Sequence, residues 1–123
     1  MSQPPDVAPA GTDFLKLVAD PTRRRIFLLL MRGETCNCEV AAALDLPENL
    51  VSHHIRKLRE AGLVEEHPDP LDARWVHFTV SAMALTTAWR ALSAAFGPDR
   101  LGSRQPACRV RARRQGRVVA SRV

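Results

Sequence analysis

The sequence predicts a small, mainly α-helical fold carrying one short β-hairpin, and three observations lead there. Residues 48–61, "ENLVSHHIRKLREA", place Val51, Ile55 and Leu58 on one helical stripe, with Asn49, His53, Arg56 and Glu60 on the opposite face. A shorter helical stretch precedes it across the tight turn "LDLP", and two β-rich runs, "LVEEH" and "RWVHFTV", follow it around the turn-rich "PDPLDA". A chain of 123 residues buries one modest core, so a single domain is expected, with a second copy supplying further burial in a dimer.

The elements follow in order. Thr12 or Asp13 is expected to cap a first short helix with Phe14, Leu17 and Val18 on one side, leaving residues 1–12 as a flexible arm. That helix should stop at Asp20, because Pro21 disfavours helical geometry in the residue before it. Pro21 suits the first turn of the next helix, "PTRRRIFLLLMR", which is apolar nearly all round and therefore central. Gly33 closes it. A third helix runs from about Cys38 to Leu44 with Asn37 as its cap and Val40 and Leu44 inward. The helix of residues 48–61 ends at Gly62, and the hairpin comes next. Two helices joined by a short turn, the second polar on one face, followed by a hairpin, make a winged helix-turn-helix. A last helix, capped by Ser81 and ended by Gly97 and Pro98, carries Leu85, Trp89, Leu92 and Phe96 in one stripe. Such a stripe either covers its own core or, as preferred here, also builds a dimer interface.

Composition removes several classes of protein. The longest apolar run, Ile26 to Met31, is far short of the roughly 20 residues of a spanning helix, so no membrane role is expected. The segment "MSQPPDVAPAGTD" lacks a basic stretch followed by an apolar one, which points to a cytoplasmic protein. The net charge of +5 is unevenly spread. Residues 97–123 hold eight arginines and one aspartate, leaving the body slightly acidic. This basic tail is expected to be disordered, with phosphate attraction as its simplest use. An enzyme is not expected, since Cys-x-x-Cys, His-x-x-x-His and a nucleophile with a spaced base are all lacking.

"LADPTRRRIFLLL", "CNCEV", "NLVSHHIRKLREAGLV" and "RWVHFTV", in this order and spacing, resemble the ArsR/SmtB family of winged-helix metalloregulators over about residues 13–96. The resemblance implies a homodimeric repressor, built on the first and last helices, that reads an inverted repeat of double-stranded DNA and is released by metal or metalloid ions. By position it carries base reading onto Asn49, Ser52 and His53, with Lys57 nearby and Arg74 in the wing. The chemistry agrees: Asn suits an adenine edge, Ser and His donate or accept, and Arg56, Lys57 and Arg74 can neutralise phosphates. The competing reading is a merely solvated polar face, against which turn, polar face and wing converge. Glu48 is read as capping its helix by charge rather than meeting a cytosine. His54, beside the apolar stripe, is expected to be packed, and His67 and His77 to be structural or surface residues. The long basic tail departs from the family's usual pattern.

Cys36 and Cys38 are two apart and can grip one ion only if Cys36 lies in the turn before the helix and Cys38 in its first turn. A helix N-terminus favours the thiolate, and the guests would be thiophilic: arsenic(III) first, antimony(III), cadmium or lead, with zinc less suited. The family's arsenic sensors, by the same resemblance, add a cysteine where this chain has Ala41, so a third thiolate would have to be Cys108 on the tail. The family's other site, carboxylates and histidines on the last helix, finds neither in "SAMALTTAWRALSAAF". Two readings compete. The cysteines are small hydrophobes, or they are redox-active thiols whose strained disulfide is readily reduced. A regulator of the same fold without a sensor, or a plain interaction module, would be indifferent to ions; the module would also lack salt-dependent duplex binding.

Overall fold

The computed structural model describes residues 6–33, 35–103 and 107–108. Its order is α1 (Pro9–Ala19), α2 (Pro21–Leu30), α3 (Asn37–Leu44), α4 (Glu48–Glu60), β1 (Val64–Pro68), β2 (Val76–Val80) and α5 (Ala82–Phe96), then a 3-10 turn at Pro98–Arg100. This is the winged helix-turn-helix that the sequence predicts. Among the described residues no helix is long and apolar enough to cross a membrane.

Asp20 separates the first two helices and serves both. It terminates α1 in an extended conformation, and its carboxylate accepts the Arg23 backbone N–H at 2.9 Å, capping α2 beside Pro21. Helix α2 is the centre of the core, where Ile26, Phe27 and Leu30 meet Val40 of α3, Val51, Ile55 and Leu58 of α4, and Val64 and Phe78 of the hairpin. Burial of these side chains removes about 1.5–3 kcal/mol of exposure cost each, an upper estimate that chain entropy largely offsets. Gly62, at φ +81, turns the chain out of α4 into β1. The strands pair antiparallel with Val64 opposite Val80 and Pro68 opposite Val76.

The start of α1 differs from expectation. The helix begins at Pro9, inside the segment expected to be an arm, and no side chain caps it. Pro9 takes the first helical position, the Gly11 and Thr12 N–H groups donate to the Ala8 carbonyl, and Gly11 is closely packed: a Cβ there would stand 2.8 Å from Val7 Cγ1 and 3.1 Å from the Ala91 Cβ of α5. Residues 1–5 of the arm, and 104–106 and 109–123 of the tail, lie outside the described residues.

The last helix also departs from a simple cover. Ser81 caps it as expected, accepting the Ala84 N–H at 3.2 Å. Its fully buried residue, however, is Ala88, while Trp89 and Phe96 are each 66% exposed. Trp89 borders an apolar groove of about 560 Å³ shared with Phe14, Val18, Phe27, Leu28, Met31 and Leu85.

Candidate functional site

Thr35 sets the position of the thiols. It forms a bridge with Phe78 of β2, donating its N–H to the Phe78 carbonyl at 3.3 Å and accepting the Phe78 N–H at 2.8 Å. The segment entering α3 is thereby joined to the wing. Cys36 follows in extended conformation as the residue before the helix, and Cys38 falls in the first turn, the arrangement two-sulfur ligation requires. Their Sγ atoms are 2.6 Å apart, and both cysteines are free thiols.

The expected thiolate is opposed at Cys36. Burial pushes its thiol up, contact with the Cys38 sulfur adds to this, and the Glu39 backbone N–H pulls the other way. Cys36 is buried, so removal from water outweighs the favourable helix start. Asn37 departs from its expected role as well. Cys36 occupies the cap position, and the Asn37 side chain donates from Nδ2 to Ser52 Oγ of α4 at 2.7 Å, leaving its Oδ1 buried without a partner among the described residues. Thr35 Oγ1 donates to Glu39 across the same turn at 2.8 Å.

On α4, Asn49, His53, Arg56 and Lys57 are exposed along one face, and Ser52 is half-buried beside α3. Arg56 lies 3.3 Å from His53 Nδ1 and 4.0 Å from Glu60. Glu48 is the first residue of the helix and makes no capping hydrogen bond, so only its charge acts at the positive end. His54 is 6% exposed, as its position beside the stripe predicts. Its Nδ1 accepts from Arg23 Nε at 3.4 Å, and burial lowers its pKa, favouring the neutral ring. In the wing, Arg74 is exposed but already held by Asp72, through Nε at 3.0 Å and Nη2 at 2.8 Å. Asp69 organises the same loop, accepting the Leu71 and Asp72 N–H groups and lying 3.0 Å from His77. His67 meets Thr79 across the strands at 2.8 Å.

One cleft of about 410 Å³ brings Cys36, Asn37 and Cys38 to face Ser52 and Arg56 of α4 and Arg74 and Trp75 of the wing, while Asn49, His53 and Lys57 lie outside its lining. Cys108 is exposed and joins no cluster: among the described residues no group of three or more His, Cys, Asp or Glu forms a metal site. The Asn37–Ser52 link was not legible in the sequence. Asparagine at a helix start reads as a cap, and a partner 15 residues away gives no local signal.

Residues 20–66, the span from the start of α2 through the first residues of β1, match the profile "Bacterial regulatory protein, arsR family". The arsenical resistance operon repressor of Escherichia coli (strain K12) is 39% identical over 83 residues, covering 61% of this chain and 68% of the relative. The chain belongs to the arsR family. Members of this family are transcriptional regulators built on a DNA-binding winged helix, not enzymes. Two further relatives are matched over about half their length. The arsenic resistance transcriptional regulator of Pseudomonas putida is 42% identical over 64 residues, 51% of this chain and 48% of the relative. The cadmium resistance regulatory protein CadC of Listeria innocua is 32% identical over 62 residues, 50% of this chain and 52% of the relative. Among solved arsR-like structures, one titled "Possible transcriptional regulator for arsenical resistance" superposes with a TM-score of 0.58 at 32% identity, covering 67% of this chain and 82% of that one.

Proposed function

We propose that the chain is a cytoplasmic, homodimeric transcriptional repressor that binds an inverted-repeat operator and is released from it by a thiophilic ion at Cys36 and Cys38. One observation carries the reading: the two sulfurs, in contact with each other, open onto the same cleft as Ser52 and Arg56 of α4 and Arg74 of the wing. Asn49, Ser52 and His53 read base edges, and Arg56, Lys57 and Arg74 contact phosphates. The relatives' names support an arsenic(III) inducer first and cadmium next. Antimony(III) and lead share the required softness.

The donor set fits such an ion. Two adjacent soft sulfurs suit a thiophilic guest, whereas a structural zinc site wants four ligands. Cys108 is the further thiol of the chain and the candidate third ligand. A bound ion supplies affinity for thiolate sulfur, displacing the thiol protons. The protein's part is to hold Cys36 and Cys38 at the joint between wing and α4, tied to α4 by the Asn37 amide and to the wing by the Thr35 backbone. The dimer face is assigned to α1 and α5, where Trp89 and Phe96 stand exposed and Trp89 borders the apolar groove.

The sulfur contact also favours a second reading, in which oxidation of the pair to a disulfide is the signal. One experiment separates the two. Fluorescence anisotropy of the gene's upstream DNA with reduced protein, titrated with arsenite, cadmium and then peroxide, is compared with Cys36→Ser/Cys38→Ser. Release of the wild type alone by an ion supports the first reading, and release by peroxide alone the second. Binding that neither disturbs defeats both and leaves a regulator without a sensor at these thiols.

A further inference from the structure

Asn37 is flanked by both thiols and touches the recognition helix. Its Nδ2 donates to Ser52 Oγ at 2.7 Å, while its Oδ1 is buried and accepts nothing among the described residues. The direction of this bond follows from the atoms in contact: an amide nitrogen can only donate, so Ser52 Oγ is the acceptor. With Asn37 as the donor, Ser52 uses an oxygen lone pair inward and keeps its hydroxyl proton for an outside acceptor. Acceptors of that kind line the major groove and the phosphate backbone.

We infer that Asn37 is a positioning residue that couples the thiol pair to operator binding, by holding Ser52 with its hydroxyl proton directed at DNA. This rests on the functional reading above and adds the route by which the thiols reach the reading face. Asn37 lies between Cys36 and Cys38 in sequence, so a rearrangement of the two sulfurs moves the backbone that carries its amide. Loss of the amide frees Ser52 to turn its proton inward or to rotate, and DNA loses an oriented donor. By linkage, whatever the thiol ligand costs DNA binding, DNA costs the ligand equally.

The test uses the full-length reduced protein and the upstream duplex, with operator affinity measured by anisotropy with and without arsenite. Asn37→Ala and Asn37→Asp are each made with Ser52 present and with Ser52→Ala. An operator-bound dimer holds two copies of the bond, so Asn37→Ala should weaken ion-free binding and lower the arsenite effect by at least about fivefold. Thiolate absorbance on adding arsenite to the DNA-free variant should keep its wild-type end point, showing the thiol site intact. Asn37→Asp preserves shape but reverses the bond, since a carboxylate can only accept and takes the Ser52 proton. It should weaken ion-free binding more than Asn37→Ala, and the part due to the bond should vanish with Ser52→Ala, whereas a plain charge effect would persist there. The inference is overturned if Asn37→Ala keeps the wild-type arsenite effect, or if the effects of both substitutions are undiminished with Ser52→Ala. A wild type that binds no operator, or binds it and ignores arsenite, defeats the functional reading and this coupling together; it is told apart because the wild type fails rather than the variant.

Discussion

Replacing Lys57 by alanine isolates the electrostatic part of DNA binding. Lys57 is exposed on the α4 face and, among the described residues, makes no ion pair, so its whole charge is available to a phosphate. A dimer presents two such lysines. Each phosphate contact contributes about 0.9 to the slope of log affinity against log salt, so Lys57→Ala should flatten that slope by about 1.8. Between about 50 mM and about 200 mM salt the advantage of wild type over variant should therefore shrink by about twelvefold. Arg74 behaves differently because Asp72 already holds it at 2.8 Å. Asp72→Asn should release Arg74, tighten binding at low salt and steepen the slope. Anisotropy titrations of one operator duplex across that salt range measure all three proteins. An unchanged slope for Lys57→Ala would refute the placement of Lys57 against phosphate, and a flatter slope for Asp72→Asn would refute the same for Arg74.

Trp89→Glu should convert the proposed dimer to monomer in sedimentation velocity and abolish tight operator binding. Covering the exposed two-thirds of an indole is worth about 3 kcal/mol per protomer, and a persistent dimer would move the interface elsewhere. Leu58→Ala, at a fully buried position of α4, should cost about 2–5 kcal/mol in urea unfolding; a loss below 1 kcal/mol, roughly that of a surface change, would contradict the packing described. Stability should also fall on acidification. Burial holds the His54 pKa below its usual 6.5, so the unfolded chain binds a proton that the folded chain resists. The contribution is present above pH 6.5 and is lost as pH falls below it. The urea midpoint of the wild type should therefore drop further between about pH 7.5 and about pH 5.5 than that of His54→Gln, and equal drops would exclude His54 as the cause.

The legible features were those whose causes are local. The stripe of Val51, Ile55 and Leu58, the break at Asp20 and Pro21, the Ser81 cap and the turn at Gly62 each lie within a few residues of the signal that announces them. The start of α1 was missed although Pro9 at its first position is a local signal of the kind read at Pro21; the close packing of Gly11 on α5, some 80 residues away, gave none. The two thiols stand at a helix start, as the spacing requires for joint ligation, while the burial that pushes the Cys36 thiol up was not visible in the sequence, since it depends on what packs above it. The Arg74–Asp72 pair stands two residues apart in "DAR" and was readable, but a basic residue in a wing is too easily assigned to DNA alone.

The position of the thiols bears on whether their chemistry can regulate at all. Useful coupling between two sites amounts to about 1–3 kcal/mol, and it must come from contacts that differ between two arrangements of the protein. Among the described residues, two links join residues 35–38 to other elements: the Asn37 amide reaches α4, and the Thr35 backbone reaches β2. A hydrogen bond of this kind contributes about 0.5–1.5 kcal/mol, so the two copies of the Asn37–Ser52 bond in a dimer already span the required range. The Thr35–Phe78 bridge serves a different end. Phe78 is buried in the core, so this bridge resists movement and makes the wing side of the segment the fixed point. On the proposed coupling, displacement at the sulfurs is then passed mainly toward Ser52. The same argument holds for ion binding and for oxidation, because both act on the separation and orientation of the two sulfurs. What distinguishes them is the guest chemistry, and the route to DNA is common to both.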